Sequence, residues 1–132
     1  MEFTEMYVTK TLHSLLKLPR KFKDFSLLKN EIAKTFQRQH KNVKFLIIDE
    51  MSMIGLRLMG MLEQRCQELF PSINEPFGGL YVYLFGDFRQ LPPVRDLPLY
   101  SDTSVQFSLF STSYIQKNFT IAFAYNDHLA RV

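Results

Sequence analysis

FLIIDEMS, residues 45–52, is an apolar run that ends in two adjacent carboxylates. Phe45, Leu46, Ile47 and Ile48 show no alternation. That is the pattern of a strand buried on both faces, as in a parallel sheet flanked by helices. Asp49 and Glu50 fall where the strand ends, at the carboxyl edge where open α/β sheets bind their ligands. Charges closing such a strand are costly to bury. They face either a cleft holding a cation or a reacting water, or simply bulk solvent.

Downstream of this stretch the spacing predicts an amphipathic helix over residues 54–70. Ile54, Leu58, Leu62, Cys66 and Leu69 form its buried stripe and Pro71 is its stop. Its methionines (Met59 and Met61, with Met51 and Met53 just ahead) read as adaptable core packing. A loop with Pro76 and the Gly78-Gly79 pair leads to LYVYLF, residues 80–85, a second unbroken apolar strand that closes on Gly86-Asp87. Strand, helix, strand in this order is a right-handed parallel crossover. Asp49, Glu50 and Asp87 are then expected at one edge of the sheet. FRQLPPV, residues 88–94, is neither strand nor helix, because its two prolines remove donors and fix φ. It reads as a stiff loop presenting Arg89 and Gln90 beside the carboxylates.

Upstream, TLHSLLKLP, residues 11–19, predicts a short helix with Thr11 as cap and Pro19 as stop. A second helix is expected over 26–39, capped by Ser26, with Phe25, Leu28, Ile32 and Phe36 on one stripe. From Arg95 the texture turns polar and rich in Ser and Thr. Residues 119–125 alternate strictly and predict a half-buried strand.

Composition narrows the class. A chain of 132 residues with 46% hydrophobic and 14% aromatic content is one domain, or a piece of a larger one, with material for a core. The one cysteine, Cys66, permits no internal disulfide and fits a reducing, intracellular compartment. His13, His40 and His128 have no metal-ligand spacing, so no zinc site is expected. No apolar run approaches the ~20 residues of a membrane span and no signal-peptide profile opens the chain, so a soluble protein without a membrane partner is expected. The net charge of +3 is uneven. Residues 1–44 carry ten Lys/Arg against four Asp/Glu, and residues 45–132 carry six against nine. The basic first third fits either a polyanion such as nucleic acid or a solvated helix face.

The chemistry these residue types suit is nucleotide hydrolysis. Magnesium takes one or two carboxylates plus phosphates and waters, which suits Asp49. An adjacent carboxylate that orients and deprotonates water suits Glu50. A neutral amide on a stiff loop, able to contact a γ-phosphate, suits Gln90. LIIDEMSMI (46–54), PFGG (76–79) and LFGDFRQLPPV (84–94), in this order and spacing, resemble the Pif-type ATP-dependent DNA helicases of superfamily one, including the helicase regions of Helitron-type transposons. TLHSLLKLP resembles the short DNA-contacting motif that precedes the Walker B strand in that family.

The resemblance implies an α/β fold: a partial RecA-like P-loop NTPase domain, its parallel sheet flanked by helices, over residues 1–94, with a divergent tail over 95–132. It implies that Asp49 is the Mg²⁺-coordinating Walker B acid and Glu50 the base. Gln90 is the γ-phosphate sensor, with Gly86 and Asp87 shaping its loop at the nucleotide. Thr11, His13 and Ser14 lie against single-stranded DNA; helix capping and packing are the other accounts of these three residues. Mg²⁺ and ATP are the implied cofactors and single-stranded or forked DNA the implied partner. The implied protein is a monomer working in nucleus or mitochondrion, in DNA repair, recombination or telomere maintenance.

The sequence departs from the pattern in four places: residues 95–132 carry no identifiable motif of the family, the second motor domain with its arginine finger is not in the sequence, and two further differences lie upstream. It contains no GxxGxGK[ST], the Walker A strand-loop-helix that the family places upstream. Lys10 stands where the family has a glycine ahead of the T-x-H-S segment. The chain is therefore expected to be the Walker B half of a motor domain, inactive by itself. The alternatives are a non-catalytic DNA-binding or interaction fragment and a transposon-derived remnant.

Overall fold

The computed structural model describes residues 11–99 and Ser101. In chain order the elements are α1 (Leu12–Leu15), α2 (Asn30–His40), β1 (Phe45–Ile48), α3 (Leu56–Leu69) and β2 (Tyr81–Leu84), with single 3₁₀ turns at Phe22–Asp24, Met51–Met53 and Pro76–Gly79. The strand expected over 119–125 lies outside the described residues. None of the described helices is long and apolar enough to cross a membrane.

β1 and β2 pair in parallel, Phe45 opposite Tyr81 through Ile48 opposite Leu84, with α3 as the crossover between them. The core gathers around α3. Leu56, Met59, Met61, Leu62, Cys66 and Leu69 are buried with Leu46 and Ile48 of β1, Phe36 of α2, and Leu16 and Leu18 just after α1. The Cys66 thiol is a packed core group: burial pushes its pKa up to about 12, helped by the neighbouring Glu63 charge.

Burial on both faces of β1 is not what the described residues form. Leu46 and Ile48 are 8% and 7% exposed, whereas Phe45 and Ile47 are 56% and 65% exposed. Tyr81 and Tyr83 share the open face, and Phe45 stacks on both at 5.5 and 6.3 Å between ring centroids. The unbroken apolar run equips both faces for burial. Among the described residues only one face has a layer over it.

α2 begins at Asn30, not at Ser26. Residues 26–28 stay outside the helix because α3 takes their polar groups: the Ser26 carbonyl accepts from Arg65 Nη1 and the Leu28 N–H donates to Glu68. Of the expected stripe Phe36 is fully buried, Phe25 and Leu28 are half-buried, and Ile32 is exposed.

The start of α3 is capped from far along the chain. Gly55 stands at the cap position with no side chain of its own. The Asp96 carboxylate supplies the acceptor, taking the N–H groups of Arg57 and Leu58, while Leu56 N–H donates to the Leu97 carbonyl at 2.8 Å. A Cβ on Gly55 would come within 2.2 Å of the Asp96 side chain. Leu99 is itself buried in the core, so residues 96–99 pack as part of the same body.

Candidate functional site

β1 and β2 stay joined beyond their last strand residues. Phe85 N–H donates to the Ile48 carbonyl and Met51 N–H to the Phe85 carbonyl, both at 2.8 Å. The two chains therefore leave the sheet side by side, Asp49-Glu50 from one strand and Gly86-Asp87 from the next. Glu50 turns in the left-handed region, at φ 57° and ψ 53°. That conformation costs a non-glycine residue ~1 kcal/mol or more. Gly86, at φ 145°, lies so close that a Cβ there would sit 2.8 Å from Met51 N and 3.2 Å from Glu50 Cα. The sequence asks for glycine here on both grounds, backbone conformation and close approach.

Asp49 and Glu50 are both exposed, and Asp49 Oδ1 accepts the Glu50 N–H at 2.8 Å. Among the described residues neither carboxylate has a basic side chain in ion-pair contact. Asp87 is occupied differently. It accepts the Arg89 N–H at 2.9 Å, and the Arg89 guanidinium folds back on it, Nη2 to Oδ2 at 3.1 Å. The side-chain hydrogen bonds from Arg89, then its backbone N–H, hold the Asp87 carboxyl below the usual carboxylate range. The Gln90 N–H donates to the Asp87 carbonyl, which closes the turn and starts Gln90 on the loop. No group of three or more His, Cys, Asp or Glu side chains that could hold a metal occurs among the described residues. The three carboxylates share an edge without forming a cage. A Mg²⁺ ion asks only one or two protein carboxylates, so Asp49 alone satisfies the donor chemistry.

The far end of the Gln90 loop is fastened by Asp96 and Leu97 on the first turn of α3. Between the two anchors Leu91 and Val94 stand out into solvent. Residues 88–95 form a strap from the end of β2 to the start of α3.

Among the described residues, Thr11, His13 and Ser14 share no hydrogen bond with this edge. Thr11 Oγ1 accepts the Ser14 N–H at 3.3 Å, so the capping account of Thr11 holds. Thr11 and Ser14 are exposed and His13 is half-buried, with its carbonyl accepting the Leu18 N–H. Two further residues matter here that motif and stripe alone did not single out. Asp96 acts across 39 residues of chain and leaves no local signature. Arg65 left one: it is three residues after Leu62 and four before Leu69, on the apolar stripe where an arginine needs a reason.

A parallel crossover with Asp-Glu closing one strand, and Gly-Asp with a Gln-bearing strap closing the next, is part of a RecA-like α/β domain. The PIF1-like helicase family model matches residues 5–129, and the chain belongs to that family. It is 31% identical over 128 residues to the ATP-dependent DNA helicase PIF1 of Candida albicans, covering 84% of this chain and 13% of that protein. It is 49% identical over 51 residues to the ATP-dependent DNA helicase RRM3 of Saccharomyces cerevisiae, covering 39% of this chain and 7% of that protein. The fold matches the crystal structure of Bacteroides Pif1 bound to ssDNA with a TM-score of 0.54 and 34% identity, over 65% of this chain and 20% of that one. The chain thus spans a small fraction of the length of these relatives.

Proposed function

We propose that these residues form the Walker B portion of an ATP-dependent DNA helicase motor that acts on single-stranded or forked DNA. The observation that carries this reading is the strand register, which brings Asp49-Glu50 and Gly86–Gln90 to one edge in backbone contact. Asp49 would hold Mg²⁺, whose charge offsets that of the phosphates during transfer. Glu50, exposed and turned by its left-handed backbone, orients the attacking water and accepts its proton. Gln90 contacts the γ-phosphate. Asp87 serves the nucleotide indirectly, as the turn that aims Gln90. The exposed Thr11 and Ser14, next to a stretch rich in lysine, contact the single strand.

The test is Glu50→Gln in the protein that carries this chain together with a Walker A segment. ATP binding is retained and hydrolysis falls by ~10²–10⁴-fold, the usual worth of a general base. Hydrolysis at the parent rate would remove Glu50 from the role. Residues 1–132 contain no GxxGxGK[ST], and backbone N–H groups of that loop supply most phosphate contacts in such motors. The 132-residue chain is therefore expected to show no MgATP binding by titration calorimetry at micromolar nucleotide.

A further inference from the structure

Arg65 is among the largest fully buried side chains, 2% exposed, at a position where a leucine or methionine would fill the same stripe. Its guanidinium is spent on main chain. Nε donates to the Leu16 carbonyl at 3.0 Å, Nη2 to the Lys17 carbonyl at 3.1 Å, and Nη1 to the Ser26 carbonyl at 3.2 Å and to Glu68 Oε2 at 2.7 Å. The Phe25 ring lies 4.7 Å from its carbon centre. Glu68 continues the network by accepting the Leu28 N–H, and its own carbonyl accepts from Gln37 of α2.

Only a planar fork of five donors serves acceptors on two separate loops at once. The first of those loops is the exit of α1. Leu16 and Lys17 follow directly on Thr11, His13 and Ser14, and Lys17 is turned back in the left-handed region at φ 51°. α1 has four residues and cannot hold its own position by helical hydrogen bonds. Its placement comes from Leu12 and Leu15 packed against the core, from Leu16 and Leu18 buried in it, and from the two carbonyls held by Arg65.

We propose that Arg65 is a positioning residue for the strand-contacting segment: it fixes the exposed hydroxyls of Thr11 and Ser14 on α3, the helix that begins just beyond the Glu50 turn. This rests on the reading of Thr11 and Ser14 as DNA contacts. DNA contact and hydrolytic edge are thereby mounted on opposite ends of one helix, and Arg65 is the fastening at the DNA end.

The experiment uses the 132-residue chain, a fluorescein-labelled oligothymidylate at low salt, and amide hydrogen exchange. In Arg65→Met, the Leu15, Leu16 and Leu18 amides exchange about tenfold faster, while those of Met51 and Phe85 at the sheet edge keep their protection. Oligonucleotide affinity falls several-fold, to that of Thr11→Val/Ser14→Ala. The triple variant loses nothing more, a non-additivity that a purely structural arginine would not produce. Unchanged affinity in Arg65→Met, or a loss that adds in full to that of the double variant, overturns the proposal. If Arg65→Met loses protection at Met51 and Phe85, Arg65→Lys decides: it keeps the charge and loses the fork. A several-fold fall in affinity is then expected, and parent affinity overturns the proposal. If the parent and Thr11→Val/Ser14→Ala bind alike, the DNA-contact reading fails, and the positioning role for DNA falls with it, even where exchange at Leu16 and Leu18 responds to Arg65.

Discussion

Glu63 is a buried carboxyl with a structural task. It accepts the Phe77 N–H at 3.3 Å and a bond from Gln67, and so holds the PFGG turn, whose Phe77 and Gly78 both have positive φ, against α3. Gly78 packs so tightly that a Cβ would sit 2.5 Å from the Cys66 carbonyl oxygen. Burial raises the Glu63 pKa, against the opposing pull of the Phe77 and Gln67 hydrogen bonds. The folded chain therefore keeps this proton to higher pH than the unfolded chain. Its contribution is fully present below the unfolded pKa and is lost as pH rises through the folded one. Glu63→Gln retains an acceptor for Phe77. Urea midpoints measured at about pH 4 and about pH 7 are expected to show a smaller drop on going up in pH than the parent shows. Asp87 has the opposite sign. Its pKa is lowered by Arg89, so its contribution is present above the unfolded pKa and is lost as pH falls through the lowered one. Arg89→Ala should return the Asp87 carbon resonance, followed by NMR titration, toward the ordinary aspartate midpoint.

Among the elements, α3 depends most on distant residues. Asp96→Ala leaves the Arg57 and Leu58 N–H groups without their acceptor, a change worth ~1 kcal/mol of stability for a typical helix cap. Gly55→Ala places a Cβ into the Asp96 carboxylate. The two changes should be non-additive by denaturant titration, because removing the Asp96 side chain vacates the space that the new methyl needs. Full additivity would show that Gly55 answers to something other than Asp96.

The elements also mark what could be read beforehand. Both strands announced themselves by unbroken apolar runs, and the helix between them by its stripe from Ile54 to Leu69. From those alone Asp49, Glu50 and Asp87 could be brought to one edge. The late start of α2 could not be read, because Ser26 and Leu28 answer to Arg65 and Glu68, 39 and 40 residues away. Bonds from side chain to distant backbone carry no periodicity. The carboxylate edge was therefore legible, and the fastenings that steady it were not.

At the scale of the whole molecule, the described body carries an apolar sheet face of Phe45, Ile47, Tyr81 and Tyr83 in solvent. Contiguous apolar surface of this kind binds amphiphilic dyes and other apolar surfaces. Native residues 1–132 are expected to enhance anilinonaphthalene sulfonate fluorescence without denaturant. Ile47→Lys with Tyr83→Lys, both on the open face, should abolish most of that signal while leaving unfolding cooperative. A protein carrying the rest of a RecA-like sheet should show little dye binding.

The strap over residues 88–95 is a tether fixed at both ends. One end is tied down by the Asp87 turn, the other by Asp96 on α3, and Pro92 and Pro93 stiffen the middle. Gln90 and the first turn of α3 are thus joined by one short covalent path, and a displacement at either end has few residues in which to be taken up.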